Sequence, residues 1–92
     1  MTVTMSPATV LHDVVVTNEQ TRVSWHAGRA SIERGSIVVK VSKRAVPPAG
    51  MFERDVSTYT IVAADGGDRM RCFVGVKYER TASDPAKKCV FT

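Results

Sequence analysis

Between Tyr59 and Val74 the chain reads YTIVAADGGDRMRCFV, and this stretch decides the fold. Two runs rich in β-branched and aromatic residues flank Gly66-Gly67. Glycine at both central positions supplies the positive φ angles that a tight primed turn demands. The stretch therefore predicts an antiparallel β-hairpin with strands over Arg54–Ala64 and Arg69–Arg80.

A two-residue loop at Gly66-Gly67 also predicts the register of this hairpin. The expected inward pairs are Ala63 with Met70, Ile61 with Cys72, Tyr59 with Val74 and Ser57 with Val76. On the outward face Arg54 then lies opposite Glu79, and an opposite-charge pair of this kind contributes about 0.2–1 kcal/mol. The alternative register, shifted by two residues, places Asp68 opposite Ala63 and loses that pair, so we expect the first.

The rest of the chain shows the same alternation of apolar and polar residues, broken by Gly, Pro, Asn, Asp and Ser. The further strands are predicted at Val10–Thr17, Arg22–Ala27, Ala30–Arg34, Ser36–Val46 and Lys88–Phe91. A helix start at Ser6-Pro7 is the main alternative, but the consecutive valines that follow it disfavour a helix. We predict one all-β domain over residues 1–92, an antiparallel sheet or sandwich of about 6–7 strands with at most one short helix.

Charge is concentrated in one part of the chain. The formal net charge is +4, and six basic residues against the single acid Glu33 give the segment Arg22–Arg44 a charge of +5. One positive region, rather than a generally basic protein, points to an acidic partner.

The two cysteines, Cys72 and Cys89, are too few for a disulfide scaffold and have no redox or zinc spacing. We therefore expect free thiols. No stretch of the sequence approaches the roughly 18 apolar residues of a membrane-spanning helix. Together these features predict a cytoplasmic protein.

The outward face of the second hairpin strand is the first candidate binding surface. Arg69, Arg71, Phe73 and Lys77 alternate there with inward residues, which places basic side chains around one aromatic ring. Arginine and lysine neutralise phosphates while a ring stacks on an unpaired base, worth about 1–3 kcal/mol per base. The alternative is an ordinary solvated strand face with Phe73 covered by a neighbouring segment.

A second basic stripe is predicted on Ser36–Val46, where Ile37, Val39 and Val41 face inward and Lys40, Ser42 and Arg44 face outward. In the predicted strand Arg22–Ala27, Trp25 is expected in the core, with Arg22 and His26 on the other side. Arg22 and Arg29 complete the predicted binding residues, while His26 is expected to be an exposed polar residue. Strand order, and hence whether the two stripes share a sheet, does not follow from the sequence.

Catalytic and metal sites are not predicted. His12 and His26 have no nucleophile or orienting acid at a recognisable spacing, and adjacent His12 and Asp13 point to opposite sides of a strand. His12, His26, Cys72 and Cys89 lack the short spacing by which one turn presents two zinc ligands. We expect no cofactor.

These features favour a non-catalytic binding module that docks a basic β face on nucleic acid or on a host protein or nucleoprotein complex. In general character, short, motif-free and locally basic, the chain resembles phage-encoded inhibitors of host defence complexes such as anti-CRISPR proteins, a likeness of size and charge only. The alternatives are a structural subunit of a virion or other homo-oligomer, for instance a homodimer paired through a strand edge, and an enzyme or small-molecule binder.

Overall fold

The computed structural model describes residues 9–52, 57–64, 69–74 and 87–92. All regular structure within these residues is strand, which confirms the all-β prediction. The six strands are β1 Thr9–Asn18, β2 Ser24–Glu33, β3 Ser36–Val39, β4 Ser57–Ala63, β5 Arg69–Val74 and β6 Lys87–Phe91. The possible helix start at Ser6-Pro7 lies outside the described residues.

The strands close into one barrel in the order β1-β2-β3-β6-β5-β4, with β4 returning to β1. Four of the six neighbouring pairs are antiparallel, but β6 runs parallel to both β3 and β5. The prediction of a small β domain of about 6–7 strands is therefore confirmed, with six strands in the described residues. Closure into a barrel, and the parallel insertion of the last strand, were not foreseen.

The core fills the barrel interior, because alternate residues of each strand point inward. Within the described residues, the buried hydrophobic side chains are Val14, Val16, Trp25, Ala27, Ala30, Ile37, Val39, Met51, Tyr59, Ile61, Ala63, Cys72 and Cys89. Trp25 is thus a core residue, as predicted, and the exposed Ser24 and His26 lie on the opposite face of its strand.

Strand β2 is one continuous strand, where the sequence predicted two strands separated by Gly28. Gly28 has a φ of 87° and lies inside the strand. The β1–β2 register shifts on either side of Val14, which pairs with Gly28, and Asp13 of β1 also has a positive φ of 51°. Gly28 therefore serves as a bulge in the strand and not as a turn between two strands.

The β4–β5 hairpin forms, but its register is shifted by two residues from the predicted one. Tyr59 pairs with Cys72, Thr60 with Arg71 and Ile61 with Met70. A shift of two keeps the same side chains inward, so the face assignment of the described residues holds. The predicted Arg54–Glu79 pair and the Gly66-Gly67 turn itself lie outside the described residues.

The predicted strand Ser36–Val46 is wrong beyond Val39. β3 ends there, Val41 is exposed instead of inward, and Ser42 and Ala45 form an isolated bridge around a turn. Beyond β3 the backbone pairs with Thr92 instead. The Val41 amide donates to the Thr92 carbonyl at 2.7 Å, and the Thr92 amide donates to the Val39 carbonyl at 3.1 Å.

The segment after this turn packs against one end of the barrel through Met51, whose side chain is fully buried. The Met51 carbonyl accepts hydrogen bonds from the Tyr59 hydroxyl at 2.8 Å and the Asn18 side-chain amide at 2.9 Å. Neighbouring Phe52 packs edge-on to Trp25 and Phe91, with ring centroids 6.1 and 4.9 Å apart. A buried carbonyl with two donors fixes this segment firmly in place.

Cys72 of β5 and Cys89 of β6 form a disulfide, so the prediction of free thiols is wrong. Both cysteines are buried and lie on strands that neighbour each other only in the closed barrel. They lie 17 positions apart in the chain, and no short-range pattern indicates a pair at that distance. The disulfide cross-links the parallel strands β5 and β6.

Candidate binding surface

Three of the predicted binding residues meet in one surface groove, which we call the basic groove. It has a volume of about 580 Å³ and is lined by His26, Ala27, Gly28, Arg29, Lys40, Ser42, Arg44 and Ala45. Its three formal cations are exposed, and no described residue that lines it is acidic. Within the described chain none of the three lies in an ion pair. The groove is a concentrated positive surface.

The bulge in β2 positions Arg29, one of the three cations of this groove. Ala27 and Ala30 both point into the core, so Gly28 and Arg29 both remain on the outside. Without this irregularity strict alternation would turn Arg29 inward. The bulge therefore places Arg29 on the same outer surface as His26.

Trp25 positions the opposite wall. Its indole nitrogen donates a hydrogen bond to the Ala45 carbonyl at 3.0 Å, and the Ala45 amide donates to the Ser42 carbonyl at 3.2 Å. The turn between them presents Arg44. Lys40 and Arg44 thus share a groove, as parts of a segment anchored by a buried ring and not as an alternating strand stripe.

A second groove lies on the outer face of β1, β4 and β5, and we call it the threonine groove. It has a volume of about 380 Å³ and is lined by Thr17, Glu19, Arg22, Thr60, Val62 and Arg69. The exposed Arg22 and Arg69 supply two cations that pair with no described acid. Five of the basic residues predicted from the sequence are therefore divided between two grooves.

Buried Asn18 shapes the turn that carries Glu19 and Arg22. Its side-chain oxygen accepts from the amides of Gln20 at 2.8 Å and Thr21 at 3.1 Å, and its carbonyl accepts from the Arg22 amide at 2.8 Å. Arg22 has a φ of 66°, in the left-handed region that a non-glycine residue adopts at a cost of about 1 kcal/mol. The hydrogen bonds hold Arg22 in this conformation beside the threonine groove.

Glu19 is the residue at this surface that sequence reasoning missed. Its carboxylate accepts two hydrogen bonds from the Arg71 guanidinium, at 2.9 and 3.0 Å, and one from the Thr60 hydroxyl at 3.1 Å. The hydrogen bond from Arg71 is the largest cause of the lowered pKa of Glu19; burial opposes it as the second largest effect, and the bond from Thr60 lowers the pKa further. Glu19 and Arg71 lie 52 positions apart, so no local pattern indicates the pair.

The outward face of β5 carries Arg69, Arg71 and Phe73, as the alternation predicts. Arg69 and Arg71 are exposed, while the ring of Phe73 is half-buried and lies opposite Thr58. Arg71 is engaged by Glu19, so its charge is largely compensated. Lys77, the fourth member of the predicted set, lies outside the described residues.

Neither a metal-binding cluster nor a membrane-spanning helix is found among the described residues. No group of three or more His, Cys, Asp or Glu side chains among them is arranged to hold a metal ion, and both cysteine sulfurs are bonded to each other. None of these residues belongs to a helix long and apolar enough to cross a membrane.

Comparisons with known proteins returned no family. The chain matches no protein-family model, no curated protein and no solved structure. The chemistry of the two grooves is therefore the basis for a functional proposal.

Proposed function

We propose that this domain is a non-catalytic binding module that docks its basic groove on an acidic partner, either nucleic acid or a protein complex that handles nucleic acid. The observation that carries the proposal is the convergence of Arg29, Lys40 and Arg44 in a groove whose described lining has no acidic residue. Three cations at one place raise the local concentration of a polyanion and steer its approach.

The rigidity of the groove supports this proposal. Each wall is attached to the barrel core, one through the β2 bulge and the other through the bond from Trp25 to Ala45. Cations held on a rigid scaffold lose less conformational entropy on binding than cations on a free loop. A rigid basic groove suits a binder better than a solubilising surface, which needs no fixed geometry.

The biological setting that we propose is an inhibitor that occupies a nucleic-acid channel or an acidic protein surface. A structural homo-oligomer joined through a strand edge is less favoured, because every described strand has a neighbour on both sides. The expected cytoplasmic location rested partly on free thiols. The Cys72–Cys89 disulfide withdraws that support, since disulfides persist mainly in oxidising compartments.

Charge reversal tests the proposal. We expect the double variant Lys40→Glu/Arg44→Glu to weaken binding to at least one polyanion among single-stranded DNA, duplex DNA and polyglutamate, measured by fluorescence anisotropy at several salt concentrations. Arg34→Glu is the matched control, because Arg34 is exposed, belongs to the same basic segment and lines neither groove. Both variants should melt close to the parent temperature, as these side chains lie outside the core.

The control decides the outcome. The proposal is supported if the double variant loses more than twice the binding free energy that Arg34→Glu loses, because the loss then exceeds that of two reversed charges at arbitrary positions. Equal loss per charge would mean that only the net charge matters, and the basic groove would then not be the binding site.

A further inference from the structure

Strand pairing aligns outward side chains in two rows across four strands of the barrel. In the first row Arg71 of β5 pairs with Thr60 of β4, Thr60 with Thr17 of β1, and Thr17 with Ser24 of β2. The Thr17 and Ser24 hydroxyl oxygens are 2.8 Å apart and hydrogen bonded. This row is polar along its whole length.

The second row lies two residues further along each strand. Arg69 of β5 pairs with Val62 of β4, Val62 with Val15 of β1, and Val15 with His26 of β2. Arg69 lines the threonine groove, and His26 lines the basic groove. The rows therefore connect the two grooves over the outside of the barrel.

We propose that the two grooves and these rows form one continuous binding track for a single-stranded nucleic acid. The inference rests on the proposed function and names its ligand. Five exposed cations, in two separated groups, have no described acidic partner along this track: Arg22, Arg69, Arg29, Lys40 and Arg44. Among the described residues that line the two grooves the one acid is Glu19, which already accepts bonds from Arg71 and Thr60.

The span and curvature of the track favour a single strand over a duplex. Four neighbouring strands place Arg69 and His26 roughly 14 Å apart along the surface, from a spacing of about 4.8 Å per strand. That surface curves, because it is the outside of a closed barrel. Duplex DNA, with a persistence length of about 50 nm, follows a curved surface only at a cost in bending free energy that a flexible single strand avoids.

The middle of the track has chemistry that suits a sugar–phosphate chain with unpaired bases. In the hydrogen bond between Thr17 and Ser24, one hydroxyl donates and the other accepts. The accepting hydroxyl still has its own hydrogen, which it can donate to a phosphate oxygen. Val15 and Val62 are half-buried beside these hydroxyls and offer apolar area to a base. An acidic protein surface has no comparable need for alternating hydroxyl and apolar rows.

Oligonucleotide length provides the test. Oligothymidine of two nucleotides covers only about 7 Å at roughly 3.4 Å per nucleotide and is short enough for one groove. One of about twelve reaches both grooves and lies within the usual range of about 4–16 nucleotides for single-strand sites. We expect Arg22→Glu/Arg69→Glu to leave dinucleotide binding unchanged apart from its long-range charge effect, and to weaken twelve-nucleotide binding about 25-fold at 0.1 M salt. The salt slope should fall by about 1.4, since each lost phosphate contact removes about 0.7.

Two further variants make the outcomes distinct. Lys40→Glu/Arg44→Glu should weaken binding of both lengths, and Arg34→Glu should weaken neither by more than its long-range charge effect. If Arg22→Glu/Arg69→Glu binds the twelve-nucleotide strand as tightly as the parent while Lys40→Glu/Arg44→Glu binds it more weakly, the track is wrong and the proposed function stands. Tighter binding of a duplex, or binding of polyglutamate with no binding of either oligonucleotide, would also overturn the single-strand assignment.

Discussion

Reduction of the Cys72–Cys89 disulfide should destabilise the barrel by about 3 kcal/mol. The bond closes a loop between residues 17 positions apart, and the loss of chain entropy in the unfolded state for a loop of that length gives this value. For a domain of this size about 3 kcal/mol corresponds to a fall in melting temperature of roughly 10–25 °C.

The measurement is urea unfolding of the oxidised protein and of protein that has been unfolded and refolded with a reductant. Comparing the two forms of one sequence isolates the bond from any change in packing. The reduced form should show a lower midpoint and a slightly larger dependence of the unfolding free energy on urea, because its unfolded chain is more expanded. The variant Cys72→Ala/Cys89→Ala is the control and should be indifferent to reductant.

Two results would refute this reasoning. Equal midpoints for oxidised and reduced protein would show that the bond does not constrain the unfolded chain. Alkylation of two thiols in unreduced, unfolded protein, seen by mass spectrometry, would show that the bond is not formed at all.

Three further predictions concern the barrel end and its surface. Met51→Ala should lower the free energy of unfolding by about 2–5 kcal/mol, because it empties a fully buried site, whereas Val46→Ala on the same segment, 70% exposed, should change it by no more than about 0.5 kcal/mol in urea titrations. Gly50→Ala should destabilise more than Gly35→Ala: both glycines have positive φ, but only at Gly50 would the new methyl group meet a side-chain carbon at 3.0 Å, so equal melting temperatures would contradict the steric argument. The lowered pKa of Glu19 means that its salt bridge stabilises the fold above pH 4.5 and that this contribution is lost as the pH falls below that value. The difference in unfolding free energy between the parent and Glu19→Gln should therefore shrink on acidification. A difference that stays constant down to pH 3 would contradict this role of the salt bridge.

Local patterns predicted the parts of the fold that depend on local physics. Alternation identified the strands and the inward face of β2, because a lone Trp25 among alternating residues is best accommodated in a core. The hairpin was also predicted, but its register was not. The observed register brings Arg71 opposite Thr60, where both reach Glu19, and the partner that rewards this arrangement is distant in the chain.

The candidate binding surface was likewise predicted in part from local patterns. Basic side chains at exposed positions were identified from alternation and charge, and Arg29, Lys40 and Arg44 do share a groove. Their convergence depends on a bulge at Gly28 and on the bond from Trp25 to Ala45, which involve contacts between residues far apart in the chain. The disulfide was missed for the same reason, since β5 and β6 become neighbours only when the barrel closes.

The insertion of β6 between β3 and β5 has a consequence for the order in which the barrel can form. Among the described strands β6 is the last to be synthesised, yet it lies between β3 and β5. Until it emerges, those two strands lack a neighbour on one side, and unpaired strand edges are templates for association with other chains. A chain that has paired its other described strands but not β6 is therefore an open sheet without its disulfide, and the pairing of β6 covers both free edges at once.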